Sequence, residues 1–83
     1  MIYIQNITIQ AVAKTPQPKQ YVEPLMYPDN KATKRDIAEF IMDSYDLGLL
    51  NTLNHHSATH VLSFTAINQK QLFQITSDIT KLD

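Results

Sequence analysis

The chain contains one glycine, Gly48, in 83 residues, and this feature limits the backbone conformations that it can adopt easily. Glycine takes up positive φ angles, and lets another backbone or a ligand approach closely, at no steric cost. Glycine-rich phosphate loops, dinucleotide-binding fingerprints and GXXG nucleic-acid loops each require several such positions. The sequence therefore excludes these sites. No cofactor is expected, and the remaining turns must be built from proline, asparagine and aspartate.

The chain has no cysteine, and 7 Lys and Arg residues against 8 Asp and Glu residues give a formal net charge of −1. The lack of cysteine excludes disulfides, thiolate metal sites and a cysteine nucleophile. The balanced charge argues against a general polyanion binder, because such proteins need an excess of basic residues. No apolar run approaches the ~20 residues of a membrane span. We therefore expect a single cytoplasmic domain without membrane contact.

Residues 2–13 alternate between apolar and polar side chains and predict a β-strand. Ile7 and Ile9 share one face, whereas Ile2 and Ile4 fall on the opposite parity, so the alternation changes phase near residues 5–6. Either both faces of this strand are partly covered, or an inserted residue forms a bulge that flips the pattern.

Residues 15–32 contain all four prolines. Proline fixes φ and removes an amide donor, so this segment is predicted to be an extended proline-rich arm within the domain. The arm is too apolar for a solvated linker, because it carries Tyr21, Leu25, Met26 and Tyr27. We expect it either to cover an open face of its own sheet or to contact a partner, including a second copy of the chain.

Residues 34–47 predict a helix. Thr33 and Asp36 have the spacing of a capping box at its start. Apolar side chains recur at helical spacing along one face, at Ile37, Phe40, Ile41 and Tyr45. Gly48 follows the last of them and is expected to end the helix in the left-handed conformation.

The second half of the chain predicts two further strands and a second helix. Residues 49–53 and 58–67 alternate as strands, with residues 54–57 as the turn between them. Residues 69–82 predict a helix, since Asn68 suits the N-cap position. Apolar side chains again recur at helical spacing, at Leu72, Ile75, Ile79 and Leu82.

These elements predict a small two-layer α+β domain that spans residues 1–83. Their order is β, proline-rich arm, α, one or two β-strands, and α. Two or three strands would carry two helices packed on one face, with the first and last strands as the central pair. With so few strands, one edge of the sheet would be open to a second chain.

Three histidines form the one cluster that could suggest metal or catalytic chemistry. His55 and His56 lie in the predicted turn, and His60 lies on the following strand. On a straight strand the side chains of His56 and His60 are ~13 Å apart, too far for one metal ion. A helical turn over residues 54–60 would make them a candidate zinc pair, but no third ligand follows nearby. We therefore predict no metal site and, in the absence of a nucleophile motif, no enzymatic activity.

Four acidic residues of the first helix are spaced by 3, 4 and 3 positions, which places them on one face: Asp36, Glu39, Asp43 and Asp46. No Lys or Arg lies between Asp36 and Gln69. This pattern is typical of a solvated face. It would also suit a surface that docks on a basic patch of another protein.

The sequence favours a non-enzymatic protein-interaction module, such as an inhibitor or adaptor of a larger, nucleic-acid-handling complex. Phage-encoded anti-defence proteins have this size and character. The partner would be a protein with a basic surface. The expected partner-binding residues are the apolar arm residues and the acidic helix residues, namely Tyr21, Leu25, Met26, Tyr27, Asp36, Glu39, Asp43 and Asp46.

Two alternatives stay open. A nucleic-acid-binding regulator would use the basic set Lys14, Lys19, Lys31, Lys34 and Arg35, although the net charge disfavours nucleic acid as a partner. A structural homo-oligomer, in the simplest case a homodimer, would exchange the arms between its subunits.

Overall fold

The computed structural model describes residues 1–12, 18–21, 23–54 and 60–81, and it shows a six-stranded antiparallel sheet with one helix in this part of the chain. The elements are β1 (Ile2–Ala11), β2 (Lys19–Tyr21), β3 (Leu25–Tyr27), α1 (Lys34–Tyr45), β4 (Leu49–Asn54), β5 (Val61–Asn68) and β6 (Gln71–Lys81). The strand order is β2-β1-β6-β5-β4, and β3 pairs with β1 on the same side as β2. Helix α1 covers one face of the sheet.

A β-bulge at Asn6 explains the phase change in β1. The pairing between β1 and β6 shifts between Gln5 and Thr8, and Asn6 has a φ of 53°. The extra residue puts the isoleucines on both sides of it on the helix-covered face, where all four are buried: Ile2, Ile4, Ile7 and Ile9. Of the two explanations that the sequence left open, the bulge is the one observed.

The predicted fold class, with two or three strands and two helices, is wrong because residues 71–81 form a strand and not a helix. Phe73, Ile75 and Ile79 point to the core side of β6, with Ser77 at the inward position between them. Ser77 interrupts the apolar alternation that would have indicated a strand. Leu72 lies on the other face, and its spacing from Ile75 and Ile79 is what predicted a helix. The eleven-residue strand has ladder partners on both sides, and these tertiary contacts outweigh the local pattern.

The predicted central pair is also wrong, because β6 lies between β1 and β5. β5 and β6 form a hairpin in which Asn68 pairs with Gln71, so Asn68 ends a strand and caps no helix. The two residues between them, Gln69 and Lys70, have φ angles of 50° and 67°. Positive φ at both central positions is the pattern of a type I′ turn, which Asn-Gly sequences favour. Gln-Lys carries no such signal.

The proline-rich arm contributes two short strands to its own sheet. β2 pairs with Ile7–Ile9 and β3 with Ile2–Ile4, so both lie along the free side of β1. The described part of the arm therefore extends the sheet within one chain. Its apolar side chains explain this placement, since Tyr21, Leu25 and Tyr27 pack against the core.

Helix α1 begins as predicted and ends two residues earlier. Thr33 and Asp36 form the capping box, in which each side chain accepts from the other residue's amide. The left-handed residue that ends the helix is Asp46, with φ 53°, and not Gly48. Gly48 also has positive φ, at 93°, and a Cβ there would stand 2.2 Å from the carbonyl oxygen of Ile67. Glycine is needed at position 48 because the backbone after α1 passes so close to the Ile67 carbonyl of β5 that a side chain would not fit.

Among the described residues, no helix combines the length and the apolar composition that crossing a bilayer requires.

Replacing Gly48 with alanine should lower the free energy of unfolding by about 2–4 kcal/mol, because the new Cβ would clash with a backbone carbonyl at positive φ. Leu49→Ala at the neighbouring exposed position should change it by less than about 0.5 kcal/mol. Urea titration followed by circular dichroism measures both values. A wild-type midpoint for Gly48→Ala would contradict the described approach of the two backbones.

The double substitution Gln69→Asn with Lys70→Gly should raise the free energy of unfolding by about 1 kcal/mol, since both central turn residues have positive φ. The control Gln74→Asn, at an exposed position within β6, should bring no gain. Thermal unfolding compares the three proteins. A loss of stability in the Asn-Gly variant would show that the turn has another conformation.

Candidate functional site

A cleft of about 430 Å³ lies between α1 and β4 at one edge of the sheet. Its lining residues come from the helix and from the segment that leads into β4: Arg35, Glu39, Met42, Asp43, Gly48, Leu49 and Leu50. Met42 is buried and Leu50 is half-buried, so the cleft has an apolar floor. Leu49 is 79% exposed, the most exposed large hydrophobic side chain among the described residues.

The carboxylates of Glu39 and Asp43 form the acidic side of this cleft. They are four positions apart on α1, so they project on the same side of the helix. Arg35 approaches Glu39 with an Nε–Oε1 distance of 3.3 Å, and both side chains are more than half exposed. An exposed pair of this kind contributes little to stability. The side of α1 that faces β4 is therefore accessible and carries two acids against one base.

The other two acids of the predicted set have local roles at the ends of α1. The Asp36 carboxylate accepts from the Thr33 amide in the capping box. Asp46 occupies the left-handed C-cap, and its carbonyl oxygen accepts from the Asn68 side chain at 3.4 Å. The structure thus keeps all four acids exposed but brings only Glu39 and Asp43 into one cleft.

The edge formed by β4 differs from the opposite edge in how well it is protected against further pairing. On the β1 side, the edge consists of two separate three-residue strands, with Lys19 in β2 and Pro24 directly before β3. Short strands, lysine and proline all discourage the addition of another strand. β4 has six residues, Leu-Leu-Asn-Thr-Leu-Asn, without charge or proline. In the part of the chain that the structure describes, the register shift between Leu50 and Thr52 is the one feature that protects this edge.

The face of the sheet opposite α1 is largely uncharged. The strand registers place on it the polar and aliphatic residues Tyr3, Gln5, Thr8, Gln10, Gln20, Met26, Leu49, Thr52, Val61, Ser63, Thr65, Ile67, Leu72, Gln74, Thr76, Asp78 and Thr80. Asp78 is the sole formal charge in this described set, and its carboxylate accepts from the Asn6 side chain at 2.8 Å. Leu49, Ile67 and Leu72 follow one another across three strands and form an aliphatic row that ends at the β4 edge.

Three of the four predicted arm residues serve the fold. The rings of Tyr21 and Tyr45 have centroids 4.2 Å apart, and Tyr27 meets Phe40 edge-on at 5.2 Å. Leu25 also packs against the core. Met26 differs, because it is 48% exposed on the uncovered face.

The predicted basic set is divided in space. Lys14 lies outside the described residues. Lys19 pairs with Ile9, and its ammonium group lies 5.2 Å from the Tyr21 ring centroid. Lys31, Lys34 and Arg35 lie near the start of α1, which follows the strand paired with Ile2–Ile4. Ile9 and Ile2 are seven positions apart on β1, so the strand positions beside these two groups of basic residues are roughly 23 Å apart. The uncovered sheet face carries no Lys or Arg at its described positions.

Of the histidines, His55 and His56 fall outside the described residues, whereas His60 precedes β5 and is exposed. No group of three histidine, acidic or cysteine side chains in the described part of the chain could hold a metal ion.

Sequence reasoning missed Leu49 and the β4 edge. It placed Leu49 in a strand, but alternation along a strand does not reveal whether that strand lies at the edge or in the centre. The composition of this strand offered a signal. Residues 49–54, directly after Gly48, contain no charged residue and no proline, and these are the residues that usually protect an edge strand from further pairing.

Comparison with protein-family models, with curated proteins and with solved structures finds no match to this chain.

Stability should fall at alkaline pH through Tyr45. Burial raises the pKa of Tyr45 above 10.0, and the neighbouring Tyr21 and Glu23 raise it further. The unfolded chain therefore releases this proton first, and the stabilisation present below pH 10 is lost as pH rises through the folded pKa. Tyr45→Phe should reduce this loss in urea titrations at pH 9 to 11, while the control Tyr3→Phe should retain it. An equal pH dependence in Tyr45→Phe and wild type would contradict the assignment.

Proposed function

We propose that the protein is a non-enzymatic protein-interaction module that accepts an extended, basic segment of another protein alongside β4. The observation that carries this proposal is the cleft between α1 and β4, where a poorly guarded edge strand, an exposed leucine and two carboxylates come together. The proposal includes a role as an inhibitor or adaptor within a larger complex, of the kind that phage-encoded anti-defence proteins perform. It also includes a cytoplasmic location, which suits a domain that needs no disulfide.

The backbone of an edge strand supplies the main attraction for such a segment. The outer side of an edge strand presents amide and carbonyl groups that another strand can pair with. When an extended peptide adds to a sheet in this way, main-chain hydrogen bonds give affinity and side-chain pockets give specificity. Here the apolar floor of the cleft would receive an aliphatic side chain of the partner on the α1 side of the sheet, and the exposed Leu49 would contact another one on the opposite face.

The charges in the cleft select for a basic partner. Glu39 and Asp43 are like charges four positions apart on α1, an arrangement that costs an isolated helix a few tenths of a kcal/mol. A lysine or arginine of the partner placed between them would replace this repulsion with attraction. From the partner-binding residues expected from the sequence we therefore keep Glu39 and Asp43 for this cleft, and we add Leu49.

A library of random twelve-residue peptides, selected on the immobilised protein, tests this proposal. We expect the selected peptides to combine Lys or Arg with aliphatic residues in strand-like alternation. A synthesised member should shift the amide resonances of β4 and α1 in NMR spectra. Peptides that lack this pattern, or that shift other elements instead, would contradict the site.

Matched variants separate the contributions of the edge and of the charges. Leu49→Lys should weaken peptide binding at least about tenfold, whereas Met26→Lys, the same change at an exposed position beside the opposite edge, should leave it unchanged. Glu39→Gln with Asp43→Asn should weaken binding, and more so at low salt. The control pair Glu23→Gln with Asp29→Asn removes the same charges elsewhere and should have no effect.

Sedimentation of the wild-type protein distinguishes a foreign partner from a second copy. We expect a monomer. A dimer that Leu49→Lys dissociates would show that β4 of a second copy occupies this edge, and it would overturn the proposal of a separate partner.

A further inference from the structure

A second, larger cavity of about 520 Å³ lies at the start of α1, next to the end of β6. Its lining residues come from three separate parts of the chain, namely Ala32, Lys34, Ile37, His60, Ile79, Thr80 and Lys81. Its volume falls within the range of about 300–1,000 Å³ that is usual for small-molecule sites. It shares no lining residue with the cleft at β4.

The position of each wall is fixed by the fold. Ile37 lies on the buried side of α1, and Ile79 lies on the core side of β6. The backbone amide of Ile79 donates to the carbonyl oxygen of His60 at 2.7 Å, which holds the start of β5 against β6. Lys81 pairs with Ile2 at the end of the central strand pair.

The cavity has an apolar floor and a basic rim. Ala32 is half-buried, and Ile37 and Ile79 are almost fully buried. Three nitrogen-bearing side chains surround this floor, namely those of Lys34, His60 and Lys81. Among the described residues that line the cavity there is no Asp or Glu. In a chain whose net charge is −1, the described lining of this cavity thus combines an apolar surface with two lysines and a histidine.

Lys34 is the first residue of α1, where the helix dipole disfavours a cation. The dipole itself favours negative charge at the same place, so the lysine and the helix start would act together on an anion near the rim.

From the cavity, its floor and its rim, we infer that this site binds a small carboxylic acid with an aliphatic body. The carboxylate lies at the rim between Lys34 and Lys81, within reach of His60, and the aliphatic body covers Ala32, Ile37 and Ile79. Charge-assisted hydrogen bonds from the lysines orient the ligand, and burial of its chain supplies apolar contact.

Titration with octanoate, followed by NMR of the 15N-labelled protein, tests this inference. We expect saturable shifts of the amides of Ile37 and Ile79 in the millimolar range or below. Two further probes separate the two halves of the site. Octanamide keeps the chain without the charge, and acetate keeps the charge without the chain. Each should bind at least about tenfold more weakly than octanoate.

A double variant tests the basic rim against a control of equal charge change. Lys34→Gln with Lys81→Gln should weaken octanoate binding at least about tenfold. Lys19→Gln with Lys70→Gln, at the opposite end of the sheet, should bind as wild type does. Thermal unfolding of both variants checks that they are folded.

Each other outcome overturns the inference. Equal binding of octanamide and octanoate would show an apolar site without anion recognition. Equal effects of the two lysine pairs would show attraction by overall charge. The absence of saturable octanoate shifts at the amides of Ile37 and Ile79 would show that the cavity is not a site for this class of ligand.

Discussion

The bulge at Asn6 aligns the core side chains of β1 and so makes the two-layer packing of the sheet and helix possible. Without the extra residue, Ile2 and Ile4 would point away from Ile7 and Ile9, and the central strand could not supply one continuous apolar face. The bulge puts all four on the same side, so a single helix with buried Ile37, Ala38, Ile41 and Met42 can close the core. The opposite face of the sheet is then free of any need for burial, and it carries polar and aliphatic side chains with almost no charge.

The sequence predicted elements whose signals are local and missed those that depend on neighbours. The capping box at Thr33 and Asp36, the phase change in β1 and the inward side chains of β5 were all readable from spacing. The strand β6 was not, because Ser77 occupies a buried inward position, where its hydroxyl has no hydrogen-bond partner among the described residues. The turn at Gln69 and Lys70 gave no signal either, since residues other than glycine adopt positive φ there.

Only part of the candidate sites was predicted, because the remaining residues are brought together by tertiary contacts. Helical spacing placed Glu39 and Asp43 on one side of α1, but only the tertiary fold sets them beside Leu49. The arm tyrosines looked like interface anchors because the sequence could not show that Tyr45 and Phe40 would face them. One cavity runs along the side of α1 that faces β4 and the other lies at the start of α1, and the described residues that line them have opposite net charge. A single helix on a sheet thus offers two chemically distinct surfaces, one suited to a basic segment and one to a small acid.

In the described part of the chain, β1 and β6 form the protected centre of a sheet whose β4 edge is open. Native-state amide hydrogen exchange measures this arrangement, because it reports the pairing of each amide. We expect the slowest exchange for amides of β1 and β6. Along β4 we expect an alternation in which amides facing β5 are protected and outward amides exchange rapidly. Uniform protection along β4 in the isolated protein, or rapid exchange throughout β6, would contradict it.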